Sequence, residues 1–176
     1  MSKYDIYGLG AALVDTEVEV NDDFLNQMEI EKGLMTLVDE DRQHQLMAGL
    51  EDHLVGSKRS SGGSAANSII ASSYFGSKTF YSCKVANDDN GKFYLDDLKA
   101  AGVDSNFHSD KEDGITGKCL VMITDDAERT MNTFLGSSAT LCEKEINEEA
   151  ISQSRWLYME GYLVTSDTGR AAAVKA

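Results

Sequence analysis

The chain opens with an apolar, β-prone run, YDIYGL at Tyr4 to Leu9, which Gly8 and Gly10 punctuate before Asp15. A run of this kind bounded by turn residues predicts a buried strand. Thr16 to Val20, TEVEV, alternates strictly and predicts a strand with one wet face, and Leu34 to Val38 reads as another short strand. Asp39 to Asp41 place acidic residues at a helix start, and Leu46, Leu50 and Leu54 at a spacing of four give that helix one apolar stripe. SSGGSAANSII then leads into Ser68 to Phe75 before Gly76, so the glycine pair Gly62 and Gly63 sits at a helix N-terminus.

Thr79 to Val85 predicts the next strand, and NDDNG caps a helix whose buried side is Tyr94, Leu95 and Leu98 and whose end is Gly102. Alternation of strands with helices is the signature of a parallel sheet with crossover helices. GKCLVMIT (Gly117 to Thr124) and TMNTFL (Thr130 to Leu135) flank DDAE and Arg129, the pattern of a hairpin. With TEVEV and LMTLV these strands predict a small second sheet, one face solvated, standing off the main α/β layer. A helix over Glu143 to Gln153 and a buried strand over Trp156 to Val164 are expected to return to the main layer. The last nine residues, TGRAAAVKA, are good helix formers without a C-cap, so the chain is expected to be the N-terminal part of a longer protein.

A length of 176 residues suits one core of ordinary size. The formal charge of −14, from 30 acidic and 16 basic residues, repels phosphate backbones and anionic membranes, which argues against nucleic-acid and membrane partners. Cys83, Cys119 and Cys142 form no CxxC pair, which argues against a disulfide framework or a structural zinc site and for a reducing compartment, the cytoplasm. No apolar segment approaches the roughly 20 residues of a membrane span. Proline is absent from the chain.

Several motifs fail their own context tests. YGLGAALVD has Leu13 where a dinucleotide fingerprint needs its third glycine, and a strand follows instead of a helix. GGSAAN is not followed by the Gly-Lys-Ser/Thr of a phosphate-binding loop, and NDDNG as a calcium loop would take Ala86 as its first ligand. His44, His53 and His108 lie in no catalytic context.

What remains is Asp15 at the end of the first strand and Asn67 at the start of a helix, both beside glycine-rich backbone. A carboxylate accepting from two vicinal hydroxyls, with an amide that donates and accepts, can hold a sugar or a ribose, and a helix N-terminus adds oriented N–H groups. The same two residues are equally readable as a turn residue and a cap.

GAALVD, GGSAAN, VANDDNG followed by LKAAGVD, and TGKCLVMI followed by AERTMNTFLGSSATL together resemble the ribokinase/PfkB family of carbohydrate kinases, most closely its adenosine kinase-like branch. The resemblance implies a ribokinase-like three-layer αβα fold, with a mainly parallel sheet and a small β-sheet lid, cut off before its C-terminal half. Lid strands would fall within 16–38 and 116–136, and the α/β core would comprise 1–15, 39–115 and 137–176. It implies transfer of the γ-phosphoryl of ATP, with Mg²⁺, to a hydroxymethyl group of a nucleoside or sugar.

In that picture Asp15, Gly62, Gly63, Ser64 and Asn67 bind the acceptor, the glycines letting it lie against the backbone. Met35, Leu37, Cys119 and Leu135 close over it from the lid, Arg129 offsets charge on the transferring phosphate, and Glu160 in MEGY matches a sugar-binding glutamate. Ala11 stands where the family commonly has Asn. No match is found for the family's glycine-rich anion hole and its base Asp, so most of the ATP site and the general base are expected outside these residues and the chain alone is expected to be inactive. Two further readings compete: a non-catalytic sugar or nucleoside binder, and lid strands that serve as a homodimer interface.

Overall fold

The computed structural model describes residues 2–50, 57–106 and 112–176. His53, Leu54 and His108 fall outside them. Two sheets divide the strands. The first is wholly parallel, in the order β6-β5-β1-β9, from β1 (Tyr4–Leu9), β5 (Thr79–Ser82), β6 (Val103–Ser105) and β9 (Ser154–Met159). The second has the order β3-β8-β7-β2-β4, from β2 (Leu13–Glu19), β3 (Met35–Leu37), β4 (Lys58–Gly62), β7 (Gly117–Ile123) and β8 (Arg129–Phe134).

Helices cover both faces of the parallel sheet. On one side α3 (Ser64–Tyr74) and α4 (Asp89–Ala100) bury Ala65, Ala66, Ile69, Tyr94, Leu95 and Leu98 around Tyr81. On the other, α5 (Glu148–Ser152) and α6 (Asp167–Lys175) bring Ala150 and Ala172 against Tyr7, Leu9 and Phe80. Tyr7 and Phe80 stack with centroids 5.4 Å apart and planes 8° from parallel. Because successive strand residues point to opposite faces, one β1 strand serves both layers. The second sheet is covered on one face only, where α1 (Asp22–Gln27) and α2 (Glu40–Gly49) set Leu25 and Leu46 against Val18, Leu120 and Met122.

Four expectations change. The helix expected over 143–153 is a 3-10 turn, Glu143–Glu145, and a separate α5, because Ile146 is extended and the Asn147 side chain accepts from the Ala150 N–H to restart the helix. The buried strand expected over 156–164 is an exposed edge: β9 ends at Met159, Trp156 is 68% exposed, and Gly161–Thr165 is a 3-10 turn. The second sheet starts at Leu13 and includes β4, within 39–115, a segment expected in the core. KRSSG has no apolar residue to announce a strand; antiparallel pairing with β2 and a bond from the Ser61 N–H to Asp97 hold it. The short α1 and β6 were also unmarked. NDDNG is a cap as expected, with Asp88 accepting from the Gly91 and Thr116 N–H groups.

Leu46 is fully buried between α2 and the second sheet. Leu46→Ala is expected to lower stability by about 2–5 kcal/mol, measured by denaturant unfolding.

Candidate functional site

Of the connections between the sheets, three lie wholly within the described residues: the Gly10–Ala12 linker between β1 and β2, the Gly62–Gly63 step from β4 into α3, and the exit of β8 through Leu135 and Gly136. Ser60, Asp15, Cys119, Thr133 and Leu37 are aligned in one row across the second sheet. Met35 and Arg129 stand two and four residues from members of this row on their own strands, so the pleat puts them on the same face. That face is opposite to the one packed on α1 and α2. Leu37 and Leu135 line a cleft of about 550 Å³ with Thr133, Ile115 and Lys84.

The Asp15 carboxylate rests on the α-carbon of Gly62, its diagonal neighbour across the β2–β4 pair. A Cβ at residue 62 would lie 2.2 Å from it, so any side chain there would displace this carboxylate. Gly63 follows with φ of 107°, and a Cβ there would also lie 2.6 Å from the Ala11 carbonyl oxygen. Asp15 is half-buried, and burial pushes its carboxyl up to about 6, with the Arg129 charge pulling the other way and Glu17 adding to the rise. Arg129 is exposed at the start of β8, and among the described residues its guanidinium forms no ion pair.

The remaining predicted residues divide. Asn67 and Ser64 are exposed in the first turn of α3, beside the buried Gly62 and Gly63. Met35 and Leu37 are exposed and Leu135 half-buried, whereas Cys119 is buried, accepts from the Thr133 hydroxyl at 3.3 Å, and has its thiol pushed up to about 11 by burial. Such a thiol is wall, not nucleophile. Glu160 is turned inward, its carboxylate accepting from Ala11 N–H, Ser64 Oγ and Ala65 N–H.

One first-turn amide of α3, the Ala65 N–H, is therefore used within the fold. Tyr81 donates to the Ala11 carbonyl at 2.8 Å, and Ser138 Oγ lies 2.9 Å from both the N and the O of Ala12. Neither residue had a sequence signal, since each acts on backbone distant in the chain. His44 is exposed on α2. Among the described residues no three acidic, His or Cys side chains are grouped to hold a metal, and no helix is long and apolar enough to cross a membrane.

Residues 35–176 match the family described as pfkB family carbohydrate kinase. The chain belongs to this family. It is 33% identical over 118 residues to the 5-dehydro-2-deoxygluconokinase of Halalkalibacterium halodurans, covering 65% of this chain and 36% of that one. The adenosine kinase from Sinorhizobium meliloti superposes with a TM-score of 0.88 at 32% identity, and a probable sugar kinase from Rhizobium etli with 0.89 at 30%. Each of these two covers 99% of this chain, which spans 52% of theirs, so the chain is about half the length of the structures it matches. The pfkB chain thus has the expected three-layer α/β fold with its second small sheet.

Two predictions follow from Asp15. Gly62→Ala forces a methyl into the carboxylate, and a loss of about 1–3 kcal/mol is expected in urea unfolding. The raised carboxyl of Asp15 favours the protonated form in the fold, so its contribution to stability is present below pH 3.8, its unfolded value, and is lost as pH rises through about 6. Asp15→Asn stays neutral, so its melting temperature relative to the parent is expected to climb between pH 4 and pH 7. A difference that is flat with pH would show that the carboxylate is well solvated.

Proposed function

We propose that the whole protein to which this chain belongs phosphorylates the hydroxymethyl group of an adenosine-like nucleoside or a sugar, and that this chain supplies the acceptor-binding half. The observation that carries this reading is the Asp15 carboxylate lying on Gly62, on the open face of the second sheet and close in chain to the glycine turn that starts the Asn67 helix. A partly desolvated carboxylate whose protonation is centred near 6 is ionised at neutral pH and seeks donors, and vicinal hydroxyls are donors of the right spacing. Asn67 supplies both a donor and an acceptor at the exposed start of α3.

Met35, Leu37 and Leu135 form the apolar wall of the same face, with Cys119 beneath. Closure of this sheet as a lid would remove water, which competes with the acceptor for the phosphoryl group. Arg129 is a cation on that face suited to offset negative charge near the acceptor. Its influence on Asp15 places it within electrostatic reach of the site. The exposed edge strand β3, with Leu34 47% and Leu37 60% exposed, is where we place a homodimer contact.

Carbohydrate kinases draw the phosphoryl group from ATP with a divalent cation. The described residues do not fit that group: no acidic cluster is present among them to hold the cation, and the Ala65 amide of α3 is engaged within the fold. We therefore assign the nucleotide site and the general base to parts of the protein beyond these residues. The same observation supports a second reading, a sugar or nucleoside binder without phosphoryl transfer.

The test is ADP formation by the full-length protein with ATP and Mg²⁺ against adenosine, inosine, ribose, fructose and 5-dehydro-2-deoxygluconate. Turnover is expected with one acceptor class and not with this chain alone. Asp15→Ala is expected to reduce kcat/KM by about 10- to 100-fold, the loss of a hydrogen bond to a charged group. No turnover with any acceptor, but saturable binding of one, would establish the non-catalytic reading.

A further inference from the structure

Glu160 follows the last residue of β9, and its carboxylate is enclosed, the residue being 8% exposed. Oε1 accepts from the Ala11 N–H at 2.7 Å, and Oε2 accepts from Ser64 Oγ at 2.8 Å and the Ala65 N–H at 3.2 Å. The two oxygens thus hold different segments: one the linker between the sheets, the other the first turn of α3. A negative charge at the N-terminus of an 11-residue helix is favoured by the helix dipole and by the amide it satisfies.

The linker is built to receive this carboxylate. A Cβ at residue 10 would lie 2.8 Å from Glu160 Cδ, so glycine is required for the approach. The same backbone is held further where the Ala11 carbonyl accepts from the Tyr81 hydroxyl and Ala12 meets Ser138 Oγ. Asp15 lies four residues beyond Ala11 along the strand that this linker begins, and Asn67 three residues beyond Ser64 along the helix. One side chain therefore ties together the two segments that bear the proposed acceptor ligands.

We propose that Glu160 is a positioning residue: its carboxylate clamps the Gly10–Ala12 linker to the first turn of α3, and so sets the separation of Asp15 and Asn67 without touching the acceptor. This rests on the reading of Asp15 and Asn67 as acceptor ligands. It assigns Glu160 a role different from the sugar contact implied by resemblance, because each carboxylate oxygen already accepts from a protein donor and the two bridge separate segments.

The test uses the full-length protein with Glu160→Gln and Glu160→Asp. Gln keeps an acceptor for Ala11 but turns an NH₂ toward the Ala65 N–H, and Asp keeps the charge but is one methylene too short to span both segments. In the free protein, amide exchange at Ala11 and Ala65 is expected to quicken by about tenfold or more in both variants, with β7 amides unchanged. The acceptor KM is expected to rise about tenfold while the ATP KM stays fixed.

Unchanged exchange in both variants would overturn the clamp, and unchanged exchange with a raised acceptor KM would assign Glu160 to direct contact. Faster exchange with an unchanged acceptor KM would overturn the positioning role. A parent protein that turns over no acceptor defeats the kinase reading, yet the exchange comparison still decides the clamp.

Discussion

The contact between the Asp15 carboxylate and the α-carbon of Gly62 sets the terms for the rest of the site. It demands a residue without a side chain on β4, a strand register that makes 15 and 62 diagonal neighbours, and a backbone turn at Gly63 that few other residues adopt. It also places a charge where water is scarce, and the upward displacement of its titration to about 6 measures that scarcity. Arg129 offsets part of the effect, but from an exposed position and at a distance. Among the described residues an ionised Asp15 has no hydrogen-bond donor or ion-pair partner.

The placement of this contact follows from the way the two sheets differ. Around β1 and β5 the parallel sheet is buried on both faces by helices and has no room for a ligand within it. Open α/β sheets take ligands beyond the carboxyl ends of their strands, where loops diverge. Leu9 and Met159 are paired at those ends on β1 and β9, and the residues next in chain are Gly10 and Glu160. The second sheet begins at the same point, three residues after Gly10, and turns its uncovered face away from α1 and α2. Where the second sheet leaves the rim of the parallel one, Leu37, Thr133, Leu135, Ile115 and Lys84 line a cleft, and Asp15 stands in the same row as Thr133 and Leu37 on that face.

Much of this was legible because local pattern and tertiary role agreed. The YDIYGL strand, the α3 and α4 helices and the β7–β8 hairpin each carry the periodicity their surroundings require. β4 was hidden because its strand character comes wholly from its neighbour, not from KRSSG. β9 was misjudged in the opposite sense: SRWLYM states a preference for burial, and a sequence cannot say what, if anything, covers it. Asn147 interrupts a helical pattern by offering its side chain to the backbone, a competition that composition does not reveal. Within the site, Asp15, Gly62, Gly63 and Asn67 were readable from glycine spacing, whereas the Glu160 bonds span 149 and 96 positions and leave no local trace.

The division of labour between the two carboxylates is the consequence that matters most for chemistry. Glu160 is satisfied by the fold, with three donors committed to it, so its charge does structural duty and needs nothing from a ligand. Asp15 is less enclosed and accepts no hydrogen bond from the described residues, and burial raises its preference for the proton. A ligand rich in hydroxyls supplies what Glu160 already has, and in doing so favours the ionised form of Asp15. An apolar ligand on the same face would only deepen the desolvation. On the proposed reading, the electrostatics at Asp15 favour polyhydroxylated molecules before any contact from the wall residues is counted, and a covering of the face by Met35, Leu37 and Leu135 would sharpen that preference, because excluding water makes every unmet donor or acceptor more costly.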